Sequence, residues 1–145
     1  EEVNNGTELG LLAKKFMDAG ELVTDELIIG MIKNKIVSNT TGKGFLLDGF
    51  PRTISQAEAL DKMLEENSLQ VDKVVSLEVE DDELINRLLL RGRSDDNRET
   101  ITNRLEVYKK QTLPIKNYYD EFGLLIEIKG DDSIEEVFNN IITSI

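Results

Sequence analysis

Three short apolar runs, separated by stretches of helical periodicity, set the narrowest limits on what this sequence can fold into. Phe45 to Leu47, Lys73 to Val79 and Leu124 to Ile128 are near-continuous in hydrophobicity rather than alternating, the pattern of strands buried on both faces of a parallel sheet. Strands that alternate with helices pair in parallel through βα units. The order of elements alone therefore predicts an α/β domain.

The helical stretches are legible in the same way. Leu9, Leu12, Ala13 and Phe16 predict a helix over residues 7–19, with Gly20 in the position just past its end. Thr24 is placed to cap a second helix whose first turn holds Asp25 and Glu26, and Leu27, Ile28, Met31, Ile32 and Ile36 form its inward stripe. A third helix, from about Ser55 to Glu66, turns Ala57, Leu60, Met63 and Leu64 inward, and a fourth, Asp81 to Leu90, opens on an acidic turn. Arg91 to Asn97 is polar and turn-forming, a loop suited to a lid. A long helical segment from about Arg98 to Phe122 is kinked or divided by Pro114. Ser133 with Glu136 reads as a capping box for a last amphipathic helix holding Ile134, Val137, Phe138, Ile141 and Ile142.

Composition narrows the chemistry. The chain has 145 residues, enough for one sizeable core. It has no cysteine, so disulfides and thiolate metal sites are excluded, and no histidine, so imidazole base catalysis is excluded. Seventeen basic against 29 acidic residues give a net charge of −12, which argues against a nucleic-acid partner. No stretch is apolar for long enough to cross a bilayer, and the expectation is a cytoplasmic protein without a membrane partner. Five of the six arginines nevertheless fall between Arg87 and Arg104, the sixth being Arg52. Clustered guanidiniums on an acidic protein suit a small polyanion.

The strand ends place the candidate residues. Ligands of open α/β sheets bind beyond the carboxyl ends of the strands, where Asp48 and Arg52 follow the run Phe45 to Leu47. Asp48 is a candidate ligand for hydrated Mg²⁺, the alternative being a cap on the following turn. Arg52, beside a Gly-Phe-Pro turn, is a candidate for anion binding, the alternative being a solvated surface side chain. Arg87 and Arg91, four apart, present like charges from one helix face, an arrangement eased by an anion between them. Arg93 and Arg104 could complete a ring around that anion, and pairing with Asp95, Asp96 and Glu99 is the structural alternative.

At these residues the chain resembles the nucleoside monophosphate kinase family, and within it the short-lid adenylate kinases. Gly44-Phe-Leu-Leu-Asp-Gly-Phe-Pro-Arg-Thr53, followed by Gln56, matches the family signature. Met17-Asp-Ala-Gly-Glu-Leu-Val-Thr-Asp-Glu26 resembles its monophosphate-binding segment, and Arg93-Ser-Asp-Asp-Asn97 with Arg104 resembles the exit of its lid. The resemblance implies a P-loop NTPase-like three-layer α/β/α fold with a parallel sheet, and Mg²⁺-dependent transfer of a phosphoryl group from ATP to AMP, giving two ADP. It implies that Glu21, Leu22, Val23, Gly49, Phe50, Pro51, Arg52 and Gln56 line the AMP site, together with Arg93 and Arg104. Arg52 would bind the α-phosphate and Gln56 would read the adenine edge. Arg87, Arg91 and Asp132 would serve ATP, Asp48 would hold Mg²⁺ through water, and Arg52, Arg91, Arg93 and Arg104 would be the catalytic arginines.

The resemblance further implies a monomer in which residues 1–23 are the remainder of the AMP-binding domain, 24–90 and 98–145 the core, and 91–97 a short lid. Its departures are two. No Gly-x-x-x-x-Gly-Lys loop occurs in these residues, and three strands are few for so many helices, so the first strand and its phosphate loop are expected upstream of Glu1. Only Gly92 separates Arg91 from Arg93, where the family commonly has a few more residues. A UMP/CMP kinase is the alternative within the family, disfavoured by Thr53 and Gln56, where the pyrimidine enzymes carry Asn. A non-catalytic nucleotide-binding module is the alternative outside it.

Overall fold

A computed structural model describes residues 7–18, 23–38, 42, 44–93 and 96–145, with the backbone alone for Met17 and Asp18. The chain forms two compact units, one of Glu1–Phe50 with Ser55–Gln70, the other of Pro51–Ile54 with Val71–Ile145.

The first unit is helical. Helices α1 (Glu8–Asp18) and α2 (Asp25–Val37) pack on each other, and α3 (Ile54–Glu66) contributes four buried side chains. Thr24 caps α2 as its sequence predicts, its hydroxyl accepting from the Leu27 N–H. Ala57, Leu60, Met63 and Leu64, the expected inward face of α3, are all buried, as are Ala13, Leu27 and Ile36. Leu12, expected inward, is instead exposed.

One expected strand is missing. Among the described residues Phe45 to Leu47 has no strand pairing, and Leu46 is 87% exposed. A strand exists only through backbone bonds exchanged with a neighbour, and the two strands of the described sheet pair with each other. The apolar run alone therefore could not decide this segment's conformation.

The second unit holds that sheet. Strands β1 (Val74–Glu78) and β2 (Leu125–Lys129) are parallel, with Val74 opposite Leu125 and Glu78 opposite Lys129. β1 falls inside the apolar run that predicted it, and β2 matches its run except that it extends one residue further, to Lys129. Between them come α4 (Asp81–Arg91), α5 (Arg98–Val107), a π-helical turn at Tyr108–Thr112, and α6 (Pro114–Asp120), so the pair is joined by a helical crossover. Pro114 divides the long helical segment as expected. It lacks an N–H, and the turn before it widens until the Leu113 N–H reaches the Tyr108 carbonyl, five residues back, at 2.9 Å. Ile101, Ile115, Tyr119 and Ile128 form the buried core of this unit. The result is a mixed helix and strand fold with a parallel sheet, consistent with a P-loop NTPase-like α/β fold.

The last helix, α7 (Ile134–Ser144), begins with the expected capping box. Ser133 Oγ accepts from the Glu136 N–H, and the Glu136 carboxylate accepts from the Ser133 N–H. Only part of its apolar face is covered, because β2 packs against α7 while Ile134, Phe138 and Ile142 remain exposed.

Candidate functional site

In the first unit the candidates sit around the start of α3. Gly49 has a φ of +72°, a left-handed conformation that disfavours any residue with a Cβ, and the chain bends here at the exposed Asp48. Phe50 is half-buried, as is Val23 just before the cap of α2. Gln56, in the first turn of α3, donates from Nε2 to Oδ1 of Asp25 at 2.8 Å. Ser55 Oγ lies 3.5 Å from the other oxygen of the same carboxylate. Glu21 and Leu22 lie outside the described residues. Among the described residues no three His, Cys, Asp or Glu side chains gather as a metal cage.

The second unit contains the other candidates. Pro51 is half-buried, and Arg52 is exposed, with its carbonyl accepting from Thr112 Oγ1 at 2.9 Å. Arg87, in the last turns of α4, is fixed from three sides. Its Nε donates to Glu83 Oε1 at 2.6 Å, one helical turn back. Nη1 donates to the Gly130 carbonyl at 3.0 Å and Nη2 to the Asp131 carbonyl at 3.3 Å. The turn after β2 and the end of α4 are thus tied together, and Arg87 is brought beside the loop that holds Asp132. That loop carries its own charge pairing: Lys129 Nζ is 3.3 Å from Asp131 and 3.8 Å from Asp132, and the nearby Asp131 carboxylate raises the Lys129 pKa.

Gly130 permits this approach. Its N–H extends the sheet by donating to the Glu78 carbonyl at 2.7 Å. A Cβ there would stand 2.8 Å from Val79 Cγ2 and 3.3 Å from Leu77 Cβ.

Arg91, Arg93 and Arg104 meet at Asp96. Arg91 is bidentate, with Nε 2.9 Å from Asp96 Oδ2 and Nη2 2.7 Å from Oδ1. The Arg93 backbone N–H donates to Oδ2 at 3.0 Å, and Arg104 Nη1 is 3.7 Å from Oδ1. The left-handed Gly92, φ +73°, ends α4 and lets the chain double back for this. The Asp96 side chain is fully covered, and the Arg91 hydrogen bonds hold its pKa down to about 2. The Arg87 and Arg91 guanidiniums, expected to share an anion, instead turn to different carboxylates, Glu83 and Asp96. Their mutual repulsion is relieved within the chain.

The comparisons with known proteins agree with one another. The family model described as adenylate kinase matches residues 1–124. The chain belongs to the adenylate kinase family. A relative named adenylate kinase from Leptospira biflexa serovar Patoc is 50% identical, the match covering 99% of this chain and 79% of that protein. Relatives of the same name from Carboxydothermus hydrogenoformans and Methanosarcina barkeri are 46% and 44% identical, each match covering 96% of this chain and 79% of the relative. Membership makes the chain a nucleotide-binding phosphotransferase.

Sequence reasoning missed one organising carboxylate, Asp25, and singled out the other, Asp96, only in part. Asp96 was legible only as one of several possible partners, because its role depends on the left-handed turn at Gly92. Asp25 was read as a helix-start residue. Its bond to Gln56 spans 31 positions, and no local spacing could have revealed it.

Proposed function

We propose that the full-length enzyme carries out the transfer that its family name describes, moving the terminal phosphoryl group of ATP to AMP and producing two ADP. The observation that supports this reading best is the gathering of Arg91, Arg104 and the Arg93 N–H on one carboxylate. Guanidiniums placed to grip a carboxylate have the fork geometry that a phosphate also needs.

In such a transfer an oxygen of the AMP phosphate bonds to the γ-phosphorus of ATP while the bond to the β–γ bridging oxygen breaks. The attacking oxygen carries no proton at neutral pH, so no general base is needed, which suits a chain without histidine. Positioning and charge stabilisation then supply most of the rate. In this reading Arg91, Arg93 and Arg104 hold phosphates during transfer, and Arg52 holds the α-phosphate of AMP. Gln56 reads the adenine edge, with Gly49, Phe50 and Pro51 lining the site and the backbone of Glu21, Leu22 and Val23 enclosing the base. Arg87 covers the ATP adenine, and the backbone near Asp132 touches it.

A hydrated Mg²⁺ normally takes one or two carboxylates and leaves its other positions to water and phosphate, and the single exposed Asp48 fits that pattern. Bound with ATP, the ion would neutralise charge on the β- and γ-phosphates. Residues 91–97 act as the lid and 1–23 belong to the AMP-binding domain, the two parts that keep water from the phosphoryl group. Residues 24–90 and 98–145 are the core. The protein works as a cytoplasmic monomer with nucleotides as its partners.

A coupled assay on the full-length enzyme tests this directly. AMP should be the preferred acceptor, and Arg91→Ala should lower kcat by about a hundredfold or more. Faster turnover with UMP or CMP, or nucleotide binding without turnover, would overturn the assignment.

A further inference from the structure

We infer that Asp25 is a specificity-determining residue, a positioning group that fixes which way the Gln56 carboxamide faces and so sets the enzyme's preference for a 6-amino over a 6-oxo purine acceptor. The inference rests on the reading that Gln56 contacts the acceptor base.

A glutamine amide presents an acceptor oxygen and a donor nitrogen of almost equal size, and rotating it by half a turn exchanges them. An amide that can rotate freely greets an amino group and a carbonyl equally well. It discriminates only when something prevents the rotation. Asp25 does this. Its carboxylate accepts hydrogen bonds and cannot donate them, and Oδ1 lies 2.8 Å from Gln56 Nε2. Rotating the amide would bring Gln56 Oε1 against that carboxylate, replacing a charge-assisted bond with oxygen facing oxygen.

The backbone supports the arrangement. Asp25 is the first residue of α2, directly after its cap Thr24, and Gln56 lies in the first turn of α3. Both side chains therefore start from the N-terminal ends of helices within one compact unit. Ser55 Oγ lies 3.5 Å from Asp25 Oδ2, at the outer edge of hydrogen-bond distance. With the nitrogen side committed to Asp25, the oxygen side faces away from it and favours a donor. The 6-amino group of adenine is a donor, whereas the 6-oxo group of hypoxanthine or guanine is an acceptor.

The test compares kcat/KM for AMP and IMP in the full-length enzyme and in the Asp25→Asn, Gln56→Ala and doubly substituted variants. Asparagine has nearly the shape of aspartate but can both donate and accept, so Gln56 can rotate opposite it. Asp25→Asn should lower the AMP-to-IMP ratio by about fivefold, Gln56→Ala should lower it further, and the double variant should match Gln56→Ala. Asp25→Glu, which keeps the carboxylate, should retain more of the ratio than Asp25→Asn.

A purely structural role for Asp25 would reduce both substrates in parallel and leave the ratio unchanged; that result overturns the inference, even if Asp25→Asn is less stable. An unchanged ratio in Gln56→Ala would instead show that Gln56 does not contact the base, and both readings fail together.

Discussion

Arg91 and Asp96 face each other through two parallel hydrogen bonds, at 2.9 and 2.7 Å, across the left-handed turn at Gly92. The same carboxylate lies within 3.7 Å of Arg104, so one acid fixes the approach of two arginines from different helices. Its contribution to stability has a definite pH window. The Asp96 pKa is lowered from 3.8 to about 2, so the stabilisation is complete above pH 3.8 and is lost as pH falls through about 2. Unfolding measured against pH for the parent and Asp96→Asn should give two curves separated by a constant amount near neutrality. They should converge between pH 3.8 and about 2. A gap that persists below pH 2 would show that the charge of Asp96 is not what Arg91 needs.

Gly130 to Ala should destabilise the protein and loosen the turn after β2. The added Cβ would lie 2.8 Å from a methyl of Val79 and 3.3 Å from Leu77 Cβ; the valine is stiff and the second atom is fixed to the backbone. A cost of about 1–3 kcal/mol is expected in urea unfolding. Because the Gly130 carbonyl accepts from Arg87, ATP affinity should fall as well, in the same direction as is expected of Arg87→Ala. Normal stability in Gly130→Ala would show that β1 and its flanking turn yield easily there.

Lys116 bridges two acids on neighbouring strands, Glu78 at 2.9 Å and Glu127 more closely. Both contacts raise its pKa, with Glu127 the larger cause. That stabilisation is complete below the ordinary lysine value of 10.5 and is lost as pH rises past the raised one. Glu78 contributes in the opposite window. Its pKa is lowered, first by Ser76 and then by Lys116, so its share is present above 4.5 and fades in acid. Lys116→Met should cost about 1 kcal/mol at neutral pH, where it leaves two carboxylates facing each other. The difference from the parent should shrink below pH 4.5 as Glu78 takes up its proton. A cost that does not depend on pH would assign the effect to packing of the lysine stem.

How far the sequence carried the fold depended on where each element's partners lie. Helices α1 to α4 and α7 were legible because their caps and stripes are local, as Thr24 with Leu27 and Ser133 with Glu136 illustrate. Strands β1 and β2 were legible because both are central in apolar runs and pair with each other. Phe45 to Leu47 has the same composition without that pairing, and composition could not separate the two cases. Arg87 and Glu83 sit at i and i+4, a spacing that can be read directly. The bonds from Arg87 to Gly130 and from Asp25 to Gln56 join positions 43 and 31 apart. Those contacts exist only after the elements have docked.

The wide turn at Tyr108–Thr112 bears on how this part of the chain tolerates changes of length. A π-turn holds one residue more than an α-turn, so a single deletion can be absorbed there by converting the wide turn into an ordinary one. The helices on either side then keep their faces, Arg104 toward Asp96 before it and Tyr119 toward the core after it. Elsewhere between Arg98 and Asp120, a change of one residue would turn one end of the segment by roughly 100° against the other. The proline and the widened turn before it thus form the point in this segment where one residue can be lost without turning the flanking helices against each other.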